Sequence, residues 1–408
     1  LSPPHQRQAA HHRELALVLA ALSAIGPFST DAYLPSFQEI GRVFGASALL
    51  VQQSLTAYMV PFAAMTLWHG AISDALGRRR VTLVAIGLFS LASLGCALSW
   101  RIEALLVFRA LQGMTAGAGM VVGRAVVRDV LDGDEAVRLM GRVALVFALA
   151  PALGPVLGGW LHVWWGWRSV FLFLTLFSAG LLAWCWRALP ETLAPDQRRP
   201  LEMGELAGGY RAVLTSAPFL ALVGALTCTF GAVFIYIVSA PVFLLRHLHV
   251  GETGFLWLFG PISCGMMLGT WISGRMVGRL TPVQTLGLSF AVTATAAAAN
   301  VLFHALSAPM LPWSIVPLVV FVTGNSLAMP AMTVLSLDLF PDRRGTASSC
   351  QSFLQTSGNT LVTAVIAPAV WGSALSLSLG MAAMLAVGGA SFAVYRLALH
   401  RPTVLGTE

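Results

Sequence analysis

The sequence predicts an all-α membrane protein that crosses the bilayer about twelve times, in two bundles of six helices. Three observations carry this. Of its 408 residues, 57% are hydrophobic and only 10% are charged, against about 25% charged in an ordinary soluble domain. The apolar residues fall in runs of roughly 18 to 25, long enough at ~1.5 Å per residue to cross a hydrocarbon core of about 30 Å. One long polar connection, Pro190 to Thr215, interrupts them in mid-chain. Helices satisfy their own backbone over such runs, whereas barrel strands alternate polar and apolar residues over about ten positions. No such alternation is present.

The spans are expected near 15–37, 48–70, 81–99, 104–126, 140–162 and 169–189, then near 217–243, 254–273, 283–304, 312–335, 347–369 and 374–396. This gives a tail 1–14, a bundle 15–189, a linker 190–215, a second bundle 216–397 and a tail 398–408. Arg7 and Arg13 precede the first apolar run as in a signal peptide, but no small-residue cleavage site closes it, so it reads as span one. Basic residues near span ends are retained in the cytoplasm. The chain has no Lys, and with both termini inside, only Arg42, Arg101, Arg168 and Arg246 of its 24 Arg face outward, with Arg109 in a span. The net charge of +7 is then explained by topology rather than by nucleic-acid binding. Cys96, Cys185, Cys228, Cys264 and Cys350 are scattered singly, without metal-ligand spacing, and read as packing residues. The His residues suggest no metal site. No nucleotide-binding motif and no catalytic constellation appear, so neither ATP drive within the chain nor a membrane-embedded enzyme is expected, and no cofactor.

Ionisable groups at membrane depth are costly and usually face a cavity. Asp31 lies late in span one within Ser29-Thr30-Asp31-Ala32-Tyr33-Leu34-Pro35. Desolvation among apolar flanks penalises a charged carboxyl, so this one can alternate between neutral and charged forms; a solvated cap at the outer surface is the plainer reading. Arg109 lies in span four with Gln112 one turn on and Gly113, Gly117 and Gly119 beyond. A guanidinium keeps its proton and would set the proton affinity of a nearby carboxylate, or would tie down a neighbouring helix's carbonyls. In span five, Pro151 and Pro155 each remove a backbone donor, while Gly154, Gly158 and Gly159 permit close packing, so the outer end of that span can bend and seal.

Gly70-Ala71-Ile72-Ser73-Asp74-Ala75-Leu76-Gly77-Arg78-Arg79-Arg80, between spans two and three, resembles the cytoplasmic signature loop of the major facilitator superfamily. Asp74 and Arg78 are one helical turn apart and can pair, and Gly77 supplies a turn. The resemblance implies the major facilitator fold of two pseudo-symmetric bundles, and a latch in which Asp74 caps span eleven near Gly345, Thr346 and Ala347 while Arg78 pairs with Asp129. Leu105 to Gly113 is similar to the fourth-span motif of drug:proton antiporters, which is associated there with proton transfer, and Ala150 to Gly159 resembles their antiporter motif. Asp31-Ala32-Tyr33-Leu34-Pro35 and Leu189-Pro190-Glu191-Thr192 look like the Bcr/CflA branch, which acts in bicyclomycin and chloramphenicol resistance. Ile272-Ser273-Gly274-Arg275 through Gly278-Arg279 echoes the signature loop without its acid, as an ancient duplication of the halves would leave it.

What the resemblance implies is a proton-driven efflux antiporter for small amphipathic compounds, with chloramphenicol, florfenicol and bicyclomycin as family-level candidates. It would work by alternating access in the bacterial inner membrane, as a monomer drawing on the proton gradient; a proton-coupled uptake symporter is the alternative. The drug site is expected in a midplane cavity between the halves. Tyr33, Gln53, Tyr58, Gln112, Phe234, Tyr236, Ser239, Asn325, Gln355 and Asn359 are its candidate contacts.

Overall fold

The computed structural model describes residues 4–130, 133–198, 201–276 and 278–399. It is all-helical over those residues, and ten of its helices are long and apolar enough to cross a membrane. The terminal residues 400–408, most of the expected C-terminal tail, and Arg199 of the linker lie outside the described residues.

In chain order the helices are α1 (Pro4–Asp31), α2 (Phe37–Phe44), α3 (Ala48–Leu76), α4 (Arg78–Ala97), α5 (Ile102–Ala116), α6 (Ala118–Val130), α7 (Gly133–Trp165) and α8 (Arg168–Ala188). They continue with α9 (Met203–Leu214), α10 (Ala217–Val238), α11 (Leu256–Met276), α12 (Pro282–Leu306), α13 (Val316–Asp338), α14 (Arg344–Leu361), α15 (Ala367–Val370) and α16 (Ala374–Leu399). Span four is broken at Gly117 into α5 and α6, and span eleven runs from α14 through a π-helical turn, Val362–Ile366, into α15. A short helix, α9, stands inside the polar linker, where a plain connection is expected. Local signals set several ends: the Ser47 hydroxyl accepts the Leu50 N–H at the start of α3, and Thr281 with Gln284 forms a capping box on α12.

The chain divides into two compact units, residues 1–201 with 244–263 and residues 202–243 with 264–408. The boundary differs from a clean split at the linker, because the segment before α11 and its first two turns pack with the first unit. Inside the first unit α1 packs on α7 and α8, α3 on α5, and α4 on α5 and α8. Inside the second, α10 packs on α14 and α16, and α12 on α13 and α16. The same pairings recur when the second six spans are matched to the first, as a duplicated bundle requires. Small residues make the closest pairings possible: Gly113 of α5 lies against the Tyr58 carbonyl of α3, and Gly269 of α11 against the Thr323 carbonyl of α13. Large apolar side chains such as Leu88, Leu91 and Leu176 are exposed, which suits lipid, and exposed Trp100, Trp164, Trp165 and Trp186 sit at helix ends, as in an interfacial belt.

Candidate functional site

The first unit carries a buried polar cluster built around Arg109, which is fully buried on α5. Its guanidinium carbon lies 4.4 Å from the ring centres of both Tyr33 and Tyr58, a cation held between two aromatic faces. Each desolvated contact of this kind contributes about 2 kcal/mol, which offsets part of the cost of burying the charge. Arg109 Nη1 donates to Gln112 Oε1 at 2.8 Å, and Gln112 Nε2 donates to Ser93 Oγ of α4 at 2.8 Å. Cys96 Sγ donates to the same Gln112 oxygen at 3.5 Å, and the Tyr33 and Ser54 hydroxyls bond at 3.1 Å. No carboxylate among the described residues forms an ion pair with Arg109. Its immediate partners are two rings and an amide, because the spacing of Arg109 and Gln112 on one helix turn lets the side chains bond locally.

Asp31 ends α1 and is 6% exposed, so it is not a solvated cap. The hydroxyl of its neighbour Thr30 donates to the Pro27 carbonyl at 3.0 Å. Facing Asp31 is Gly154 of α7, where an added Cβ would come 3.4 Å from Asp31 Cβ. One turn further, Gly158 lies against the Ala32 carbonyl so closely that a methyl group has no room. Gly159 meets the backbone of Glu252 and Thr253. The glycines between Pro151 and Gly159 thus seat α1 and residues 252–253 directly on α7.

At the other end of the unit the signature loop forms a closed network. Arg78 Nε donates to Asp129 Oδ2 at 3.2 Å and Arg78 Nη1 to Ser73 Oγ at 2.6 Å, and Arg78 also pairs with Asp74. Gly77 turns the chain at φ 98°, a left-handed conformation that suits glycine. Gly70 faces Val121 of α6. Sequence reasoning missed the third strand of this network. Glu191 Oε1 accepts the Arg78 N–H at 2.9 Å and so caps the N-terminus of α4, and the Thr192 hydroxyl donates to Asp129 Oδ2 at 2.8 Å. The signal was in view, since an acid in a Pro-Glu-Thr segment is a natural cap, but pairing it with a helix 113 residues away needs the fold.

The candidate cargo residues divide by exposure. Tyr33, Tyr58 and Gln112 are buried in the Arg109 cluster, and the Gln112 amide has its oxygen and nitrogen both engaged. In the second unit Tyr236 accepts from Asn300 Nδ2 at 2.8 Å, and Ser239 and Asn325 are buried too. Gln53, Phe234, Gln355 and Asn359 are partly exposed, with Phe234 stacked on Phe230. No group of His, Cys, Asp and Glu that could hold a metal occurs among the described residues.

Residues 19–363 match the family model of the Major Facilitator Superfamily. The chain is a member of that superfamily. Among the relatives of this facilitator is the MFS-type transporter YdgK of Bacillus subtilis, 32% identical, covering 86% of this chain and 88% of that protein. Multidrug resistance protein D of Escherichia coli is 26% identical over 86% of this chain and 88% of its own. A chloramphenicol resistance protein of Pseudomonas aeruginosa is 31% identical over 65% of this chain and 62% of its own. The xylose transporter XylE from E. coli, in a partially occluded inward-open conformation, superposes with a TM-score of 0.74 at 13% identity, covering 98% of this chain and all of that one. That likeness speaks for the twelve-helix fold alone.

Proposed function

We propose that this facilitator is a proton-driven exporter of small amphipathic compounds, working by alternating access across a bacterial inner membrane with both termini in the cytoplasm. The observation that supports this best is the nearly full burial of Asp31 against Gly154 of the antiporter-like motif. A carboxyl so placed binds and loses a proton where the motion of α7 is felt directly. Relatives named for chloramphenicol, bicyclomycin and multidrug resistance make amphenicols and bicyclomycin the compounds to try first.

In the proposed cycle deprotonated Asp31 favours bound drug, and a proton taken up from the more acidic exterior favours its release and the return step. Coupling requires that drug and proton each weaken the other's binding by about 1–3 kcal/mol, a reciprocal linkage. Arg109, fixed by Tyr33, Tyr58 and Gln112, supplies a standing positive potential inside the unit rather than a counter-ion that comes and goes. The Arg78, Asp129, Glu191 network is the inner latch, and the Gly154 to Gly159 face of α7 is the outer hinge. Gln53, Phe234, Gln355 and Asn359 are the contacts best exposed to cargo. No cofactor enters the cycle, and one chain is the working unit.

The test is Asp31→Asn in inside-out vesicles. Drug addition should discharge an imposed pH gradient in the wild type and leave it intact in the variant, with equal amounts of inserted protein. Normal coupled efflux by Asp31→Asn would remove this carboxyl from the cycle. Drug-driven acidification in the opposite sense would favour uptake by symport.

A further inference from the structure

Near the end of α7 remote from the latch, His162 is 6% exposed and stands between two carboxylates. Its Nδ1 lies 3.0 Å from Glu39 Oε2 of α2, at ion-pair distance though off hydrogen-bond alignment. Its Nε2 lies 2.9 Å from Glu252 Oε2. Glu39 is itself fixed, accepting the Trp167 N–H at 2.9 Å. Glu252 belongs to the segment 244–263, which joins α10 to α11 in sequence but packs with the first unit. On the same face of α7, one turn back, Gly159 lets that segment lie flat, since a Cβ there would come 2.6 Å from the Glu252 carbonyl oxygen. Side-chain and backbone contacts thus seat one strap on one helix end.

We propose that His162 is a second proton-binding site, separate from Asp31, whose protonation clasps the 244–263 strap to α7 and whose deprotonation releases it. A neutral imidazole carries one N–H and one lone pair, so it can satisfy only one of two carboxylates and repels the other. An imidazolium donates to Glu252 through Nε2 and pairs with Glu39 at Nδ1 by charge, so its positive charge sits between two negative ones. From Leu149 to Trp165, α7 has no further titratable side chain. Arg168 at the start of α8 donates to the Ser99 carbonyl and lies over the Trp167 ring, and Arg42 on α2 is exposed. Asp31 of α1 faces Gly154, two turns earlier on α7. The strap adds Arg246 and His249, both exposed, and His247. On the orientation proposed above, which this step rests on, the clasp faces the exterior and reads external acidity without carrying its proton across.

Hydrogen exchange of the protein in lipid nanodiscs tests this. In the wild type, protection of the 244–255 peptide, corrected for intrinsic exchange, should fall about tenfold from pH 5.5 to pH 8, as expected for losing one charge-assisted hydrogen bond. In His162→Gln and in Glu252→Gln, the latter on a partly exposed site, protection should be low and independent of pH. Identical pH profiles in wild type and both variants would overturn the clasp. Drug counterflow in sealed vesicles, with pH stepped on one side only, separates this from the orientation. A His162-dependent response to the strap side supports both; one confined to the Arg78 side keeps the clasp and overturns the orientation.

Discussion

Substituting Gly158 by Ala should cripple this facilitator by wedging α1 away from α7. An added Cβ at Gly158 falls on the Ala32 carbonyl and comes within 2.9 Å of Ala32 Cα. Carbon atoms rest about 3.5–4.0 Å apart, so the two helices must part by ~1 Å or more. The obstacle is backbone on both sides, so no side chain can swing away. Overpacking of this kind costs about 1–3 kcal/mol and occasionally more, and here the upper end applies, with a fall of roughly 3–4 °C in unfolding temperature. Two other glycines provide the scale. At Gly154 the added methyl meets Asp31 Cβ at 3.4 Å, the Ala32 nitrogen at 3.6 Å and the Asp31 carbonyl carbon at 3.8 Å, all ordinary contacts, so Gly154→Ala should change stability by less than about 1 kcal/mol. At Gly180 on α8 nothing lies within 4 Å, and Gly180→Ala should be neutral or stabilise by about 0.5–1 kcal/mol through helix propensity. Thermal unfolding of the three purified variants, with drug efflux in cells, reads the series. Wild-type stability and efflux for Gly158→Ala would refute the close seating of α1 on α7 and the hinge built on it.

Tyr58→Leu should lower stability by about 1–3 kcal/mol, since it removes one of the two rings that hold Arg109, while Tyr58→Phe keeps the ring and most of the stability; equal losses in a melting assay would argue against the sandwich. Glu191→Ala uncaps α4 and should cost about 1 kcal/mol and slow transport. Glu191→Gln, which retains an acceptor for the Arg78 N–H, should recover part of it. An unchanged melting temperature in Glu191→Ala would mean that the cap is idle.

Much of this protein was legible before any fold was known. Runs of apolar residues set the spans because the bilayer admits only helices that satisfy their own backbone. The Asp74, Gly77 and Arg78 spacing gave the loop, and Asp31 and Arg109 stood out because charge at membrane depth is costly. Boundaries moved by a few residues at most ends, but the break at Gly117 and the helix α9 were not foreseen. Hydrophobic runs report burial in lipid, and they are silent on where a chain pauses inside it or folds beside it.

Tertiary structure alone decided which polar residues meet. Composition could nominate Arg109 and Tyr33, Tyr58 and Gln112 separately, as proton-coupling and cargo residues, yet these four side chains pack into one buried cluster. Glu39, His162 and Glu252 are each unremarked in sequence and lie far apart in it, but share one contact. Helix periodicity fixes neighbours a turn apart, whereas contacts between distant helices depend on how closely glycines such as Gly113 and Gly158 let backbones approach. That approach is a property of pairs of helices, and no single stretch of sequence contains it.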